Sequence, residues 1–142
     1  MKLEYPFIID RDPDGWLVVQ FIDFEEAFTQ GKTVEECYLN AREVLSLVIE
    51  QRMADGAEIP LPGHSDSPHR TTPDAQIQAA LLVHLARGNR SLADLARALG
   101  TSWPSVQRLE DPRHRSTLNQ IERAAAALGK RLVLSFEDPS PK

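Results

Sequence analysis

The sequence predicts an α+β protein: a small antiparallel sheet with one long helix, then a mainly helical domain closed by a short strand. Three observations predict it. Apolar residues keep strand-like runs up to about residue 30 and helical spacing after it. A proline-rich stretch, Pro60 to Pro73, interrupts the pattern with four prolines in fourteen residues. Charge divides at the same place. Residues 1–60 carry 5 Lys and Arg against 13 Asp and Glu, whereas residues 61–142 carry 11 against 8. A net of −8 thus faces a net of +3, and Arg87 to Arg131 alone holds 9 basic against 4 acidic side chains. Such asymmetry assigns the two halves different partners.

The elements follow in order. Tyr5 to Asp10 is a short β-prone run, and Asp12-Pro-Asp-Gly15 supplies turn chemistry. Trp16 to Ile22 is rich in β-branched and aromatic residues and reads as a mostly buried strand. A third short strand falls near Ala27 to Gln30. Thr33 and Glu36 form a capping box, and Val34, Cys37, Tyr38, Ala41, Leu45, Val48 and Ile49 keep helical spacing behind it. That helix ends near Asp55, with Gly56 as its cap. Residues 61–73 then read as a semi-rigid linker between a domain of residues 1–60 and one of residues 74–138.

The second half is helical. Thr72-Pro73 opens a helix ending at Gly88, with Ile77, Leu81 and Leu85 inward. Ser91 caps a short helix ending at Gly100, and Ser102 caps another reaching about Glu110. Thr117 to Gln120 is a second capping box, and its helix stops at Gly129. Arg131 to Phe136 reads as a final strand, and residues 139–142 as a disordered tail.

The pair of helices from Ser91 to Glu110 fits a helix-turn-helix. Two short helices crossing at a wide angle need a small residue where they meet, which Ala96 supplies, and Gly100 suits the turn. A four-helix bundle with short loops uses similar apolar spacing and stays open as an alternative. In the helix-turn-helix reading Val106 and Leu109 face inward, and Trp103, Ser105, Gln107 and Arg108 project toward a major groove. Gln107 suits adenine, and Arg108 suits guanine or a phosphate. Ser91, Ser102 and nearby backbone N–H groups suit phosphates, and Arg113, His114 and Arg115 add basic side chains behind the second helix. Pro104 costs nothing in a first helical turn, whose N–H groups have no intrahelical partner. Trp103 either lies against DNA or packs on protein.

Enzymatic readings find little support. Asp10, Asp12, Asp14 and Asp23 are the candidates for a two-metal nuclease, but Asp12 and Asp14 are ordinary turn residues and no later carboxylate completes the set. His64 and His69 lack a third ligand in a fixed frame. Cys37 sits on an apolar helix face, as a structural thiol does, and a single cysteine suits a reducing cytoplasm. No apolar run approaches the roughly 18 residues of a membrane span. Neither catalytic residues, nor a metal site, nor a cofactor is expected.

Two resemblances extend this reading. SLADLARALGTSWPSVQRLE (91–110) resembles the repressor-type, Xre/Cro-like helix-turn-helix family, departing from it at Leu92 and Trp103. Residues 3–62 resemble the HicB antitoxin family. They share its strand, acidic-Gly turn, strand, Asp-containing corner before TQG, T-x-E-E helix with a central NA, and IPLP exit. Asp23, Thr29, Gln30, Gly31, Thr33, Glu35, Glu36, Asn40 and Ala41 stand at those positions. The resemblance implies a partial RNase H fold and an antitoxin. Its partners would be a small basic, mRNA-cleaving toxin of the HicA type and the double-stranded operator DNA of its own genes. The resemblance leaves the toxin-contacting residues unknown. A single short recognition helix makes few contacts, so a homodimer or homotetramer, with recognition helices about 34 Å apart, is expected. The competing reading is a stand-alone regulator with an acidic sensing domain.

Overall fold

The computed structural model describes residues 1–138. They fall into two compact units, whose main bodies are Met1–Asp74 and Ala75–Phe136.

The first unit holds β1 (Tyr5–Arg11), β2 (Leu17–Phe21), β3 (Phe28–Gly31), α1 (Val34–Asp55) and β4 (His69–Thr71). The strands form one antiparallel sheet in the order β3-β2-β1-β4. The β1–β2 register sets Phe7 opposite Phe21 and Ile9 opposite Val19, so alternate residues share a face. Tyr5, Phe7, Val19, Phe21 and Phe24 are buried together with Cys37, Ala41, Leu45 and Ile49 of α1. The other face of the sheet leaves Ile8, Ile22 and Phe28 exposed. The Asp12 side chain ties the β1–β2 turn by accepting from the N–H groups of Asp14 (2.9 Å) and Trp16 (2.8 Å), and Gly15 takes φ +89°. α1 begins at Thr33, whose hydroxyl accepts from Glu36 N–H, and ends at Gly56 in the left-handed region.

The linker read into residues 61–73 is corrected by this structure. His69–Thr71 is a strand, paired with Tyr5–Phe7 of β1. The His69 ring stacks on Phe7 at 5.5 Å and shares a 2.9 Å hydrogen bond with the Tyr38 hydroxyl. The Ser67 hydroxyl donates to the Phe7 carbonyl at 2.5 Å. Prolines stiffen this stretch, but β1 offers an open edge, and pairing with it satisfies backbone groups that β2 leaves unused.

The second unit holds α2 (Ala75–Arg87), α3 (Leu92–Leu99), α4 (Trp103–Leu109) and α5 (Leu118–Ala127). Val83, Leu95, Ala96, Val106, Leu109, Ile121, Ala124 and Leu128 form its core. Ser91, Ser102 and Thr117 each cap a helix by accepting a backbone N–H, and Thr117 with Gln120 completes a reciprocal capping box. The strand expected at Arg131–Phe136 is not formed within the chain. A strand needs a neighbour to complete its hydrogen bonds, and this unit contains no other strand. The tail expected at 139–142 lies outside the described residues.

Candidate functional site

Several residues of the HicB-like pattern hold backbone in place. Asp23 accepts the Gly63 N–H through its carboxylate at 3.0 Å, and a Cβ on Gly63 would fall 2.8 Å from that carboxylate. The Asp-containing corner and the proline-rich exit are therefore clasped together, and a side chain at position 63 would push the Asp23 carboxylate aside. Gly31 plays a similar part, since a Cβ there would meet the Cys37 nitrogen at 3.0 Å and its Sγ at 3.1 Å. Asn40 donates from Nδ2 to the Gln30 carbonyl at 2.8 Å, fixing α1 against β3. The Tyr5 hydroxyl donates to the Pro60 carbonyl at 2.8 Å. Burial, reinforced by the negative charge of Asp23, pushes that phenol up to about 12. Burial, and then the Glu36 charge, likewise raises the Cys37 thiol, which suits a packing role rather than a nucleophile.

These placements account for most of the acidic residues considered for metal catalysis. Asp12 serves its own turn, Asp23 serves Gly63, and Asp10 is exposed on β1. Among the described residues, no three His, Cys, Asp or Glu side chains gather as a metal site.

The second unit separates anchoring from presentation. Its anchor is Glu110, at the C-terminal end of α4. His84 Nδ1 lies 2.7 Å from its Oε1, and Arg87 reaches both carboxylate oxygens, at 2.5 and 3.0 Å. Burial pushes the Glu110 carboxyl up, but the hydrogen bonds from His84 and Arg87 outweigh it and hold the group below its ordinary value. Gln76 adds a bond from Nε2 to the Pro112 carbonyl at 2.6 Å. α4 is thereby tied to α2 at its far end, while its start is tied to α3 by the turn at Gly100, which takes φ +63°.

The residues singled out for DNA divide into two groups on this frame. Ser91 and Ser102 are exposed, but their hydroxyls are occupied as helix caps. Ser105 is half-buried and its hydroxyl lies 2.8 Å from that of Ser102. These three serve the ends of α3 and α4. Trp103, Gln107 and Arg108 point outward from α4, and Trp103 keeps 46% of its surface exposed. Among the described residues, the side chains of Gln107 and Arg108 make no hydrogen bond or ion pair. Arg113 and Arg115 are exposed beyond α4, where Asp111 accepts the Arg113 backbone N–H at 2.9 Å. Trp103, Gln107 and Arg108 thus form one outward cluster on α4, followed along the chain by the two arginines.

Comparison with known proteins decides the family. Residues 4–73 match the family model described as HicB_like antitoxin of bacterial toxin-antitoxin system. An "Antitoxin HicB 2" of Photorhabdus laumondii is 34% identical over 94% of this chain and 96% of its own length. The chain belongs to the HicB antitoxin family. "Antitoxin HicB" of Escherichia coli K12 is 31% identical over 93% of this chain and 98% of its own, and that of Pseudomonas fluorescens 30% over 96% of each. The likeness to these HicB antitoxins thus spans both units, whereas the family model ends at residue 73. No helix among the described residues is long and apolar enough to cross a membrane.

Sequence reasoning missed Glu110, His84 and Arg87. In the sequence Glu110 resembles any solvated glutamate, and its partners lie 26 and 23 residues away. It missed Ser46 for the same reason. That buried hydroxyl donates to the Arg42 carbonyl at 2.8 Å and accepts from Asp74 N–H at 2.9 Å.

Proposed function

We propose that this HicB-family chain neutralises a small basic, mRNA-cleaving toxin of the HicA type through its first unit, and represses its own operon through its second. The observation that carries the DNA half is the outward cluster of Trp103, Gln107 and Arg108 on a helix whose inner face and far end are already anchored. The Gln107 and Arg108 side chains have no partner among the described residues, and with the exposed part of Trp103 they carry the donors, acceptor and flat apolar surface that a major groove can use. α3 and α4 act as a helix-turn-helix with α4 as the recognition helix. Arg113 and Arg115 touch the phosphate backbone, and Ser91, Ser102 and Ser105 set helix ends close to it.

The toxin half rests on family membership and on charge. A net of −8 over residues 1–60 favours encounter with a cationic, RNA-binding protein and speeds association more than it sets final affinity. A sheet with one helix on one face agrees with a partial RNase H-like arrangement put to a binding use, with no catalytic role and no cofactor. The protein works in the cytoplasm as a homodimer or homotetramer, because one seven-residue α4 makes too few contacts for tight specific binding.

Two measurements test the proposal. In a gel-shift titration the full chain binds DNA from upstream of its own gene in preference to scrambled DNA. Equal binding to both contradicts repression. Co-expression with the small basic protein encoded beside it restores growth that this neighbour arrests alone. Continued arrest, with both proteins present, contradicts the antitoxin role.

A further inference from the structure

β1 is longer than the strand that covers its outer edge. Ile22 N–H donates to the Pro6 carbonyl at 3.2 Å, and Asp12 N–H to the Trp16 carbonyl at 2.8 Å. The even-numbered residues of β1 are therefore the ones that bond to β2. Tyr5, Phe7, Ile9 and Arg11 turn their N–H and C=O groups to the other edge. β4 pairs with Tyr5–Phe7 and stops there. Ser67, next in line to face Ile9, turns away. Its N–H donates to the Ser65 hydroxyl at 3.1 Å, and its own hydroxyl to the Phe7 carbonyl at 2.5 Å. Among the described residues, the edge-facing backbone groups of Ile9 and Arg11 have no partner. Such an edge is a template for another strand.

An open cleft of about 380 Å³ lies along this edge, between Ile8–Asp10 and residues 65–69. Asp10 and Asp66 bring exposed carboxylates to it, and neither Lys nor Arg lines it. His69, at its end, is engaged with the Tyr38 hydroxyl. The neighbouring Arg11 guanidinium turns back toward the Gly15 carbonyl, 3.5 Å away. His64 lies 3.9 Å from Asp66, in an exposed pair of the kind that contributes little and is readily exchanged. The opposite edge of the sheet is less open, because Asn40 already takes the outward Gln30 carbonyl of β3. We propose that an extended, basic segment of the toxin docks on β1 beyond the end of β4, adding a strand to the sheet. This names a docking place for the toxin-binding reading above and rests on it. The edge offers backbone hydrogen bonds to any extended chain, and the two carboxylates favour a cationic one. Side chains of an added strand alternate between faces, so every second one can lie beside Asp10.

Amide hydrogen exchange of the full chain, alone and with the purified small basic protein encoded beside it, tests this residue by residue. In the free chain the Ile8 and Asp10 amides, bonded to β2, exchange slowly, and those of Ile9 and Arg11 exchange fast. In the complex Ile9 and Arg11 should slow by at least about tenfold. Arg11→Pro removes one edge N–H at an exposed position without breaking a bond inside the sheet. It should weaken binding by at least about tenfold, whereas Arg11→Ala, with the same change of charge, should not. Asp10→Asn combined with Asp66→Asn should slow association by about threefold or more. Tight binding with Ile9 and Arg11 still exchanging fast overturns the added strand and leaves the toxin reading standing. Protection of these two amides in the free chain that grows with its concentration gives the edge to a second copy and also overturns the proposal. A neighbour that does not bind at all overturns both.

Discussion

The two units use polar residues in opposite directions. In the first, Asp23, Asn40, Tyr5 and Ser46 turn to backbone groups, so that Asp23 and Asn40, two residues of the HicB-like pattern, help to hold the corner, the exit and α1 in place. In the second, capping hydroxyls and the Glu110 cluster secure the helices, while Gln107 and Arg108 are left outward without a partner among the described residues. A residue type repeated across a family therefore does not by itself mark a binding site. The informative residue is the exposed, unengaged one on an element whose position is fixed by others.

The contrast extends to pH, and its largest expected effect is in base. The Tyr5 phenol titrates near 12 when folded against 10 in the unfolded chain. Its stabilising contribution is complete below pH 10 and is lost as pH rises toward 12. The loss amounts to roughly 3 kcal/mol. Methyl NMR signals of Val19, Leu45 and Ile49 should show the first unit opening over that window, and Tyr5→Phe should shrink the pH dependence, leaving the share of the Cys37 thiol and the Tyr38 phenol, which burial also raises.

The second unit should fail in acid instead. The Glu110 carboxyl is held below its unfolded value, so its contribution is present above about pH 4.5 and is lost as pH falls through the lowered folded value. Glu110→Ala, which leaves the half-buried Arg87 guanidinium without its carboxylate, should cost about 2–3 kcal/mol in urea unfolding. Loss confined to the first unit would break the comparison.

Smaller effects separate reading from anchoring. Arg108→Ala should cost roughly 1–3 kcal/mol of operator affinity with relaxed preference at one base pair if it contacts a base. A uniform loss with a salt slope smaller by about one unit would assign it to phosphate. Thr117→Ala should cost about 1 kcal/mol of stability, through its cap, with operator affinity unchanged. Trp103→Ala should leave stability within about 0.5 kcal/mol, and a larger loss would return Trp103 to packing.

Much of the fold was legible in the sequence because its signals are local. Thr33, Ser91, Ser102 and Thr117 announced their helices, and Gly56, Gly100 and Gly129 their ends. What was not legible depends on distant partners. β4 exists because β1 lends it an edge some sixty residues earlier, and Glu110 matters because α2 brings His84 and Arg87 to it. The run at Arg131–Phe136 has strand composition, yet strand formation depends on a neighbour that the chain itself does not supply. The outward placement of Trp103, Gln107 and Arg108 was read from helical spacing alone. The engagement of Ser102 with Ser105 was not, because it depends on side-chain conformation at the cap.

The central claim is that toxin neutralisation and operator binding reside in different units. The full chain carrying Gln107→Ala and Arg108→Ala, co-expressed with the neighbouring small basic protein from a promoter lacking the operator, tests it most directly. Growth should be restored as fully as by the unsubstituted chain, while the same protein no longer shifts operator DNA. Loss of growth rescue by a variant that remains folded would contradict the division.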